Sequence, residues 1–177
     1  LFETLSTLDH RWDSLRLSKL VEGTALTPVL EQRARGAGLI PRRRYRKPVY
    51  YLALPGTFDE YFAARSGKFR NHARRAEKKL RAAGRLQELE IVTPEAFDAG
   101  YEALMEVERA SWKEPHGTSM AAEAKQSALY REWGRTSPPG HVHLQLLLLD
   151  GEPIAHNLGC VHRGTYYYLK TSYAARH

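Results

Sequence analysis

A chain of 177 residues is long enough to bury one sizeable core, or one core and part of a second. Its ordinary balance of apolar and charged residues excludes wholesale disorder, and its longest apolar run, Val49 to Leu54, is far too short to span a bilayer. The net charge of +7 is uneven: sixteen of the 27 Lys and Arg but only four of the 20 Asp and Glu lie between Glu31 and Arg85. A basic block therefore sits inside a mildly acidic chain, and it suits an anionic partner such as nucleic acid, nucleotide phosphates or a membrane surface. The lone Cys160 rules out an internal disulfide and a cysteine-based zinc cluster, which makes a reduced, cytoplasmic setting the default expectation. The chain opens at Leu1 rather than Met and shows no secretory signal, so it reads as a fragment with the question of a leader left open.

Along the chain, Leu15 and Leu17 alternate with Arg16 and Ser18, predicting a strand over Asp13–Leu20. Thr27 as N-cap and Pro28 in the first turn open a short helix that Gly36 closes. Gly36 to Pro48, with its chain breakers and five basic residues, reads as a linker between an incomplete N-terminal segment (1–47) and a domain (48–177). Val49–Leu54 is an apolar strand ended by Pro55 and Gly56. Thr57 and Glu60 fit a capping box for a helix carrying Tyr61 and Phe62, which bends at Ser66-Gly67. The basic helix that continues to Gly84 places Phe69, Ala73, Ala76, Leu80 and Ala83 on one stripe, expected to dock on a sheet. Arg70, Arg74 and Arg81 form a row on one flank, and Lys68, Arg75 and Lys79 a row on the other. A solvated charged face and a phosphate-contacting surface are both open readings; the scarcity of interleaved amides and aromatics argues against base-specific readout.

Leu86–Val92 reads as a strand, and Thr93-Pro94-Glu95 starts a helix that shows Phe97, Tyr101 and Leu104 on one face and ends near Trp112. Met120–Trp133 reads as a second helix and Thr136–Gly140 as a loop. His143–Leu149 is apolar on both faces, as in a central strand. Asp150-Gly151 signals a hairpin, Pro153–Val161 the returning strand, and Arg163-Gly164 the turn into a third strand, Thr165–Tyr173. The order predicts a mixed α/β domain with a largely antiparallel sheet. Among the eight histidines there is no HExxH pattern and no close helical ligand pair, so no metal site is expected. No Gly-x-Ser-x-Gly elbow supports α/β-hydrolase chemistry, and Cys160 inside a strand reads as packing.

Several of these segments together resemble a known family. Pro55 to Tyr61, Lys68 to Asn71, Arg74-Arg75 and Lys79-Leu80 resemble the entry to a CelD-type acetyltransferase domain, of the GNAT superfamily and close to the FemAB-like peptidyltransferases. Glu108 to Lys113 with Gly117-Thr118 is similar to its mid-domain helix end and loop; Leu149 to Ala155 and Tyr166 to Thr171 are similar to its central hairpin and following strand. The resemblance runs from about Val49 to Tyr173. It implies a GNAT-like fold, a twisted and largely antiparallel sheet flanked by helices. It also implies direct transfer of an acyl group from a thioester such as acetyl-CoA to an amine, without a covalent enzyme intermediate. The acceptor is then an amine-bearing small molecule or glycan precursor, in polysaccharide or cell-envelope biosynthesis. In such folds the pantetheine arm lies along a splayed central strand and the pyrophosphate on the loop and helix that follow. By analogy the strand is Thr165–Tyr173, which makes Leu169, Lys170 and Thr171 the donor-binding residues. The chain stops at His177, where the family continues into the phosphate-binding helix. The expectation is that this chain binds acyl-CoA poorly while the complete gene product binds it well.

Direct transfer needs a deprotonated amine, donors for the thioester oxyanion and a proton source for the leaving thiolate. Tyr173 is the candidate proton donor, with core packing as its other reading. Lys170, expected to share a face with Tyr168, is a second candidate, against an exposed-edge role. Glu108 or Glu106, or a neutral His116, His143 or His156, is the candidate base, and His143 and His156 are expected to approach each other across the hairpin. Trp112, Lys113 and His116, with Arg70 and Arg74 of the basic helix, are candidates for substrate contacts; helix capping and core packing are the other reading of Trp112 and Lys113. Two further functions stay open: a FemAB-like aminoacyl-tRNA-dependent transferase that holds tRNA on the basic helix, and a non-catalytic module that binds nucleic acid or an anionic surface with it.

Overall fold

In the computed structural model, which describes residues 13–17, 20, 22–43, 50–54 and 56–176, the chain divides between Ala53 and Leu54 into two units. The described part of the first holds one helix, α1 (Leu26–Gly36), with Ala25 rather than Thr27 in the N-cap position and Ala34 buried. Glu31 on this helix pairs with Arg43 at 2.6 Å. The described residues of the strands expected over 13–20 and 49–54 form no strand. Residues 13–17 and Leu20 are irregular with Leu15 and Leu17 exposed, and Tyr50–Leu54 is irregular with Tyr50 90% exposed. Alternation or an apolar run needs a neighbouring ladder to become a strand, and neither segment has one among the described residues. Ser18, Lys19 and Val49 of those expected strands, and 44–48 of the expected linker, lie outside the described residues.

The second unit opens with α2 (Phe58–Ala63), started by the expected capping box: Glu60 N–H donates to Thr57 Oγ1 at 3.3 Å, and Thr57 N–H donates to Glu60 Oε2 at 2.7 Å. The chain bends at Ser66, whose hydroxyl accepts the Phe69 N–H at 3.2 Å to start the basic helix α3 (Gly67–Ala83). The expected docking of α3 on the sheet is corrected by its burial. No residue of α3 is buried, and Phe69 packs instead on Phe62 of α2, with ring centroids 6.2 Å apart. A stripe made mostly of alanines offers too little apolar area to hold so charged a helix against a sheet.

The remaining elements are β1 (Leu86–Ile91), α4 (Pro94–Arg109), a 3₁₀ turn (Glu114–His116), α5 (Ala124–Thr136), β2 (Val142–Leu149), β3 (Glu152–His162) and β4 (Thr165–Tyr173). The strands form one antiparallel sheet in the order β1-β2-β3-β4. Both hairpins of the meander have two central residues at positive φ, Asp150 with Gly151 and Arg163 with Gly164, the backbone that matches strand twist in a two-residue loop. Asp150 also accepts the Arg85 N–H at 2.7 Å, tying the entry of β1 to the tip of the first hairpin.

Helix α4 crosses one face of this sheet. Phe97, Tyr101 and Leu104 recur at helical spacing and are buried with Met105 and Met120 against Val142, Leu144, Leu146 and Leu158. Full burial of a large apolar side chain stabilises by about 1.5–3 kcal/mol, so this cluster dominates the domain. Helix α5 packs on α4, where Tyr101 OH donates to the Ser127 carbonyl at 2.8 Å. Two boundaries differ from expectation. Helix α4 stops at Arg109 because Ser111 turns into a bridge with Ala174, and α5 starts at Ala124 because Met120 is used as core in the turn before it.

Register corrects two side-chain expectations. Leu146 pairs with His156 while His143 pairs with Gly159, so the two histidines lie on opposite faces and do not approach each other. On β4, Lys170 pairs with Leu158 and Tyr168 with Gly159, so a bulge at Leu169 takes two residues for one. The extra residue puts Lys170 on the helix-covered face and Tyr168 on the other, where plain alternation had them together.

Candidate active site

Among the described residues β4 is the last strand of the sheet, and its outer edge is covered only at the C-terminal end. There the turn after α4 runs beside it: Ser111 bridges Ala174, the Ala175 N–H donates to the Ala110 carbonyl at 2.9 Å, and Lys113 Nζ donates to the Thr171 carbonyl. Between this clasp and the bulge lies a cleft of about 330 Å³, walled by Trp112, Lys113 and the strand from Tyr168 to Tyr173. Six of the residues expected to carry function thus meet in one place: Trp112, Lys113, Leu169, Lys170, Thr171 and Tyr173. Trp112 is half-exposed at its rim, and Tyr173 is exposed on the face away from α4. Lys170 leans under the strand, donating to Gln126 Oε1 at 2.6 Å with its ammonium 5.5 Å from the centre of the Tyr130 ring.

Behind the cleft lies a buried charge network. Glu108 continues the apolar face of α4 and is wholly buried, as is the His156 side chain. Glu108 Oε1 accepts from His156 Nε2 at 2.8 Å and from Lys113 Nζ at 3.3 Å, and Oε2 accepts the Met120 N–H at 2.7 Å. Burial pushes the Glu108 carboxyl up, but the bonds from His156 and Met120 and the charge of Lys113 outweigh it and hold the group below its ordinary value. Burial pushes the His156 imidazole down against the pull of Glu108, and Lys113 adds to that shift. At neutral pH the pair is therefore a carboxylate and a neutral imidazole whose Nε2–H donates. Glu108 is sealed from solvent, and its side chain reaches toward the cleft only through its bond to Lys113.

The other expected site residues stand apart. Arg70 caps the end of α2 by donating to the Ala63 carbonyl at 2.6 Å, and Arg74 lies 5.5 Å from the centre of the Phe62 ring; neither lines the cleft. His116 sits exposed in the 3₁₀ turn, also outside it. Glu106 is exposed on α4. His143 belongs to a polar chain on the far face of the sheet, bonded to Glu90 at 3.0 Å and neighbouring Gln145, Asn157 and Tyr166. The Cys160 thiol is pushed up by burial, which favours packing over nucleophilic chemistry. Ser172 is a residue the sequence did not single out: it lines the cleft, is buried, and pairs with His156 across the strands. Its alternation with Thr171 was the available signal. Among the described residues no group of His, Cys, Asp and Glu is arranged to hold a metal ion.

The mixed α/β architecture, a four-stranded antiparallel sheet flanked by helices, is consistent with a GNAT fold. Residues 67–177 match the family model described as Acetyltransferase (GNAT) domain, and the chain belongs to that family. The family carries acyltransferase activity, and its members use acetyl-CoA as a substrate with an amine as acceptor. No curated protein and no solved structure matches the chain. Among the described residues no helix is long and apolar enough to cross a membrane.

Proposed function

We propose that this chain is a CelD-type, FemAB-like N-acyltransferase that moves an acyl group from acyl-CoA directly to an amine on a small molecule or glycan precursor, in a cytoplasmic step of envelope or polysaccharide synthesis. The observation that carries the reading is the open edge of β4 ahead of Thr171, interrupted by the Leu169 bulge and walled by Trp112 and Lys113. A pantetheine arm holds two amide groups in an extended chain, and such a chain is bound by adding it to a sheet edge. The backbone of Leu169, Lys170 and Thr171 fits that role. The bulge leaves a residue out of the β3 ladder, so its polar groups can turn toward a ligand. Tyr173, exposed at the cleft's end, serves as the proton donor to the leaving thiolate, and Trp112 walls the acceptor side. Lys170, tied under the strand, holds β4 to α5. The donor domain is read as beginning near residue 48.

A second reading has one observation in its favour. Helix α3 stands undocked, with Lys68, Arg74, Arg75 and Lys79 exposed, so an aminoacyl-tRNA donor has a phosphate-contacting surface available. The test of the first reading is release of CoA thiol from acetyl-CoA with hydroxylamine as probe acceptor. Tyr173→Phe is expected to lower kcat about 100-fold with the acetyl-CoA KM unchanged. An unchanged kcat removes Tyr173 from the chemistry, and no turnover by the complete gene product contradicts the reading itself.

A further inference from the structure

Lys113 occupies an unusual position for a lysine. Only 18% of its side chain is exposed, its ammonium is anchored from behind by the buried Glu108 carboxylate at 3.3 Å, and it donates forward to the Thr171 carbonyl. A lysine ammonium has three N–H donors. Two are engaged by these partners, and the third is left for whatever enters the cleft that Lys113 lines. The anchor is rigid in turn, because Glu108 is fixed by His156 at 2.8 Å and by the Met120 amide at 2.7 Å, and the Ser111 hydroxyl donates to the Glu108 carbonyl at 2.7 Å. A cation held in this way costs no reorganisation when negative charge develops beside it.

We propose that Lys113 is the oxyanion-stabilising cation of the transfer. The inference rests on the acyltransferase reading above and deepens it. The open edge of β4 ends at the Thr171 carbonyl that Lys113 covers, two residues beyond the bulge. An acyl group held in the cleft against this stretch of the strand has the Lys113 ammonium beside it. The acceptor nitrogen forms a bond to the thioester carbonyl carbon, and the carbonyl electron pair moves onto oxygen, to which the third Lys113 N–H donates a hydrogen bond. The pair then returns to carbon, the C–S bond breaks, and the thiolate takes the proton that the new ammonium nitrogen gives up, directly or through Tyr173. Lys113 keeps its own protons throughout. Glu108 and His156 are positioning residues, which fix where that charge stands.

The test reads kcat and KM separately, with acetyl-CoA as donor and hydroxylamine as probe acceptor, and follows the bound thioester by infrared spectroscopy of carbonyl-¹³C-labelled acetyl-CoA. Lys113→Met is expected to lower kcat about 100- to 1000-fold with KM changed little, the usual cost of one oxyanion donor. It is also expected to abolish the low-frequency shift of the bound carbonyl. Lys113→Arg should restore part of both. Because Lys113→Met strands the buried Glu108 charge, the double variant Glu108→Gln/Lys113→Met is measured beside it, removing both charges together. A kcat within about threefold of the unmodified protein in the double variant, or an effect confined to KM with the carbonyl stretch unmoved, overturns the role of Lys113 while leaving the acyltransferase intact. Absence of acetyl-CoA turnover in the complete gene product overturns the underlying reading, and this inference with it.

Discussion

Glu108 stands where the helix period calls for a core residue, eleven positions after Phe97 and four after Leu104, and the fold accepts it by giving both its oxygens partners. That arrangement makes stability depend on pH in one direction. Both Glu108 and His156 lie below their ordinary values of 4.5 and 6.5, so each binds its proton more readily in the unfolded chain. Their contribution is complete above about pH 6.5, falls as the pH drops through the lowered value of His156, and falls again in the acid range of Glu108. Each unit of depression is worth about 1.4 kcal/mol. Urea denaturation at pH 7 and pH 5 is expected to show a loss that His156→Asn removes; an equal loss in that variant would assign the dependence elsewhere. A polar residue in an apolar helical stripe, with a lysine five residues on, was the legible trace of this network. Its partner His156 and the covered Thr171 carbonyl come from strands 48 and 63 residues downstream, a register that no local pattern encodes.

At the scale of the elements, the parts written in local chemistry were legible and those set by partners were not. The Thr57–Glu60 capping box, the Ser66 bend and the two hairpin turns stand where their residues demanded. The bulge at Leu169 has no glycine on its own strand; its trace is Gly159 on β3, at the register shift, where an added Cβ would run into the Tyr166 ring and the Tyr167 carbonyl. The described residues of the strands expected at 13–20 and 49–54 find no ladder among the described residues, and α3 has no buried residue for want of apolar area. Close packing between α4 and α5 depends on Gly134, where a Cβ would stand 2.1–2.5 Å from ring carbons of Phe97, itself stacked on Tyr101. Gly134→Ala is therefore expected to destabilise by about 1–2 kcal/mol. Overpacking outweighs the gain of roughly 1 kcal/mol in helix propensity. A urea midpoint equal to or above that of the unmodified protein would show that the Phe97 ring relaxes freely.

Along the sequence, charge and cleft are separated: the basic residues concentrate between Glu31 and Arg85, while the cleft is lined by Trp112, Lys113 and Tyr168 to Tyr173 in the acidic remainder. Composition made the first half of that division plain; the second needed the sheet order. The separation has a consequence for the exposed α3 residues Arg74, Arg75 and Lys79, which, unlike Arg70, cap nothing. Reversing all three to Glu is expected to leave acetyl-CoA affinity within about twofold while abolishing any salt-sensitive binding of tRNA. Loss of acetyl-CoA binding in that variant would place the donor's phosphates on α3.

The most direct measurement is calorimetric titration of acetyl-CoA into the full-length protein at moderate salt. With the β4 edge as donor site, binding is expected in the micromolar range, roughly −8 kcal/mol, and is expected to survive reversal of the α3 charges. No heat of binding at millimolar acetyl-CoA would contradict the assignment of the cleft and turn the search to an aminoacyl-tRNA donor.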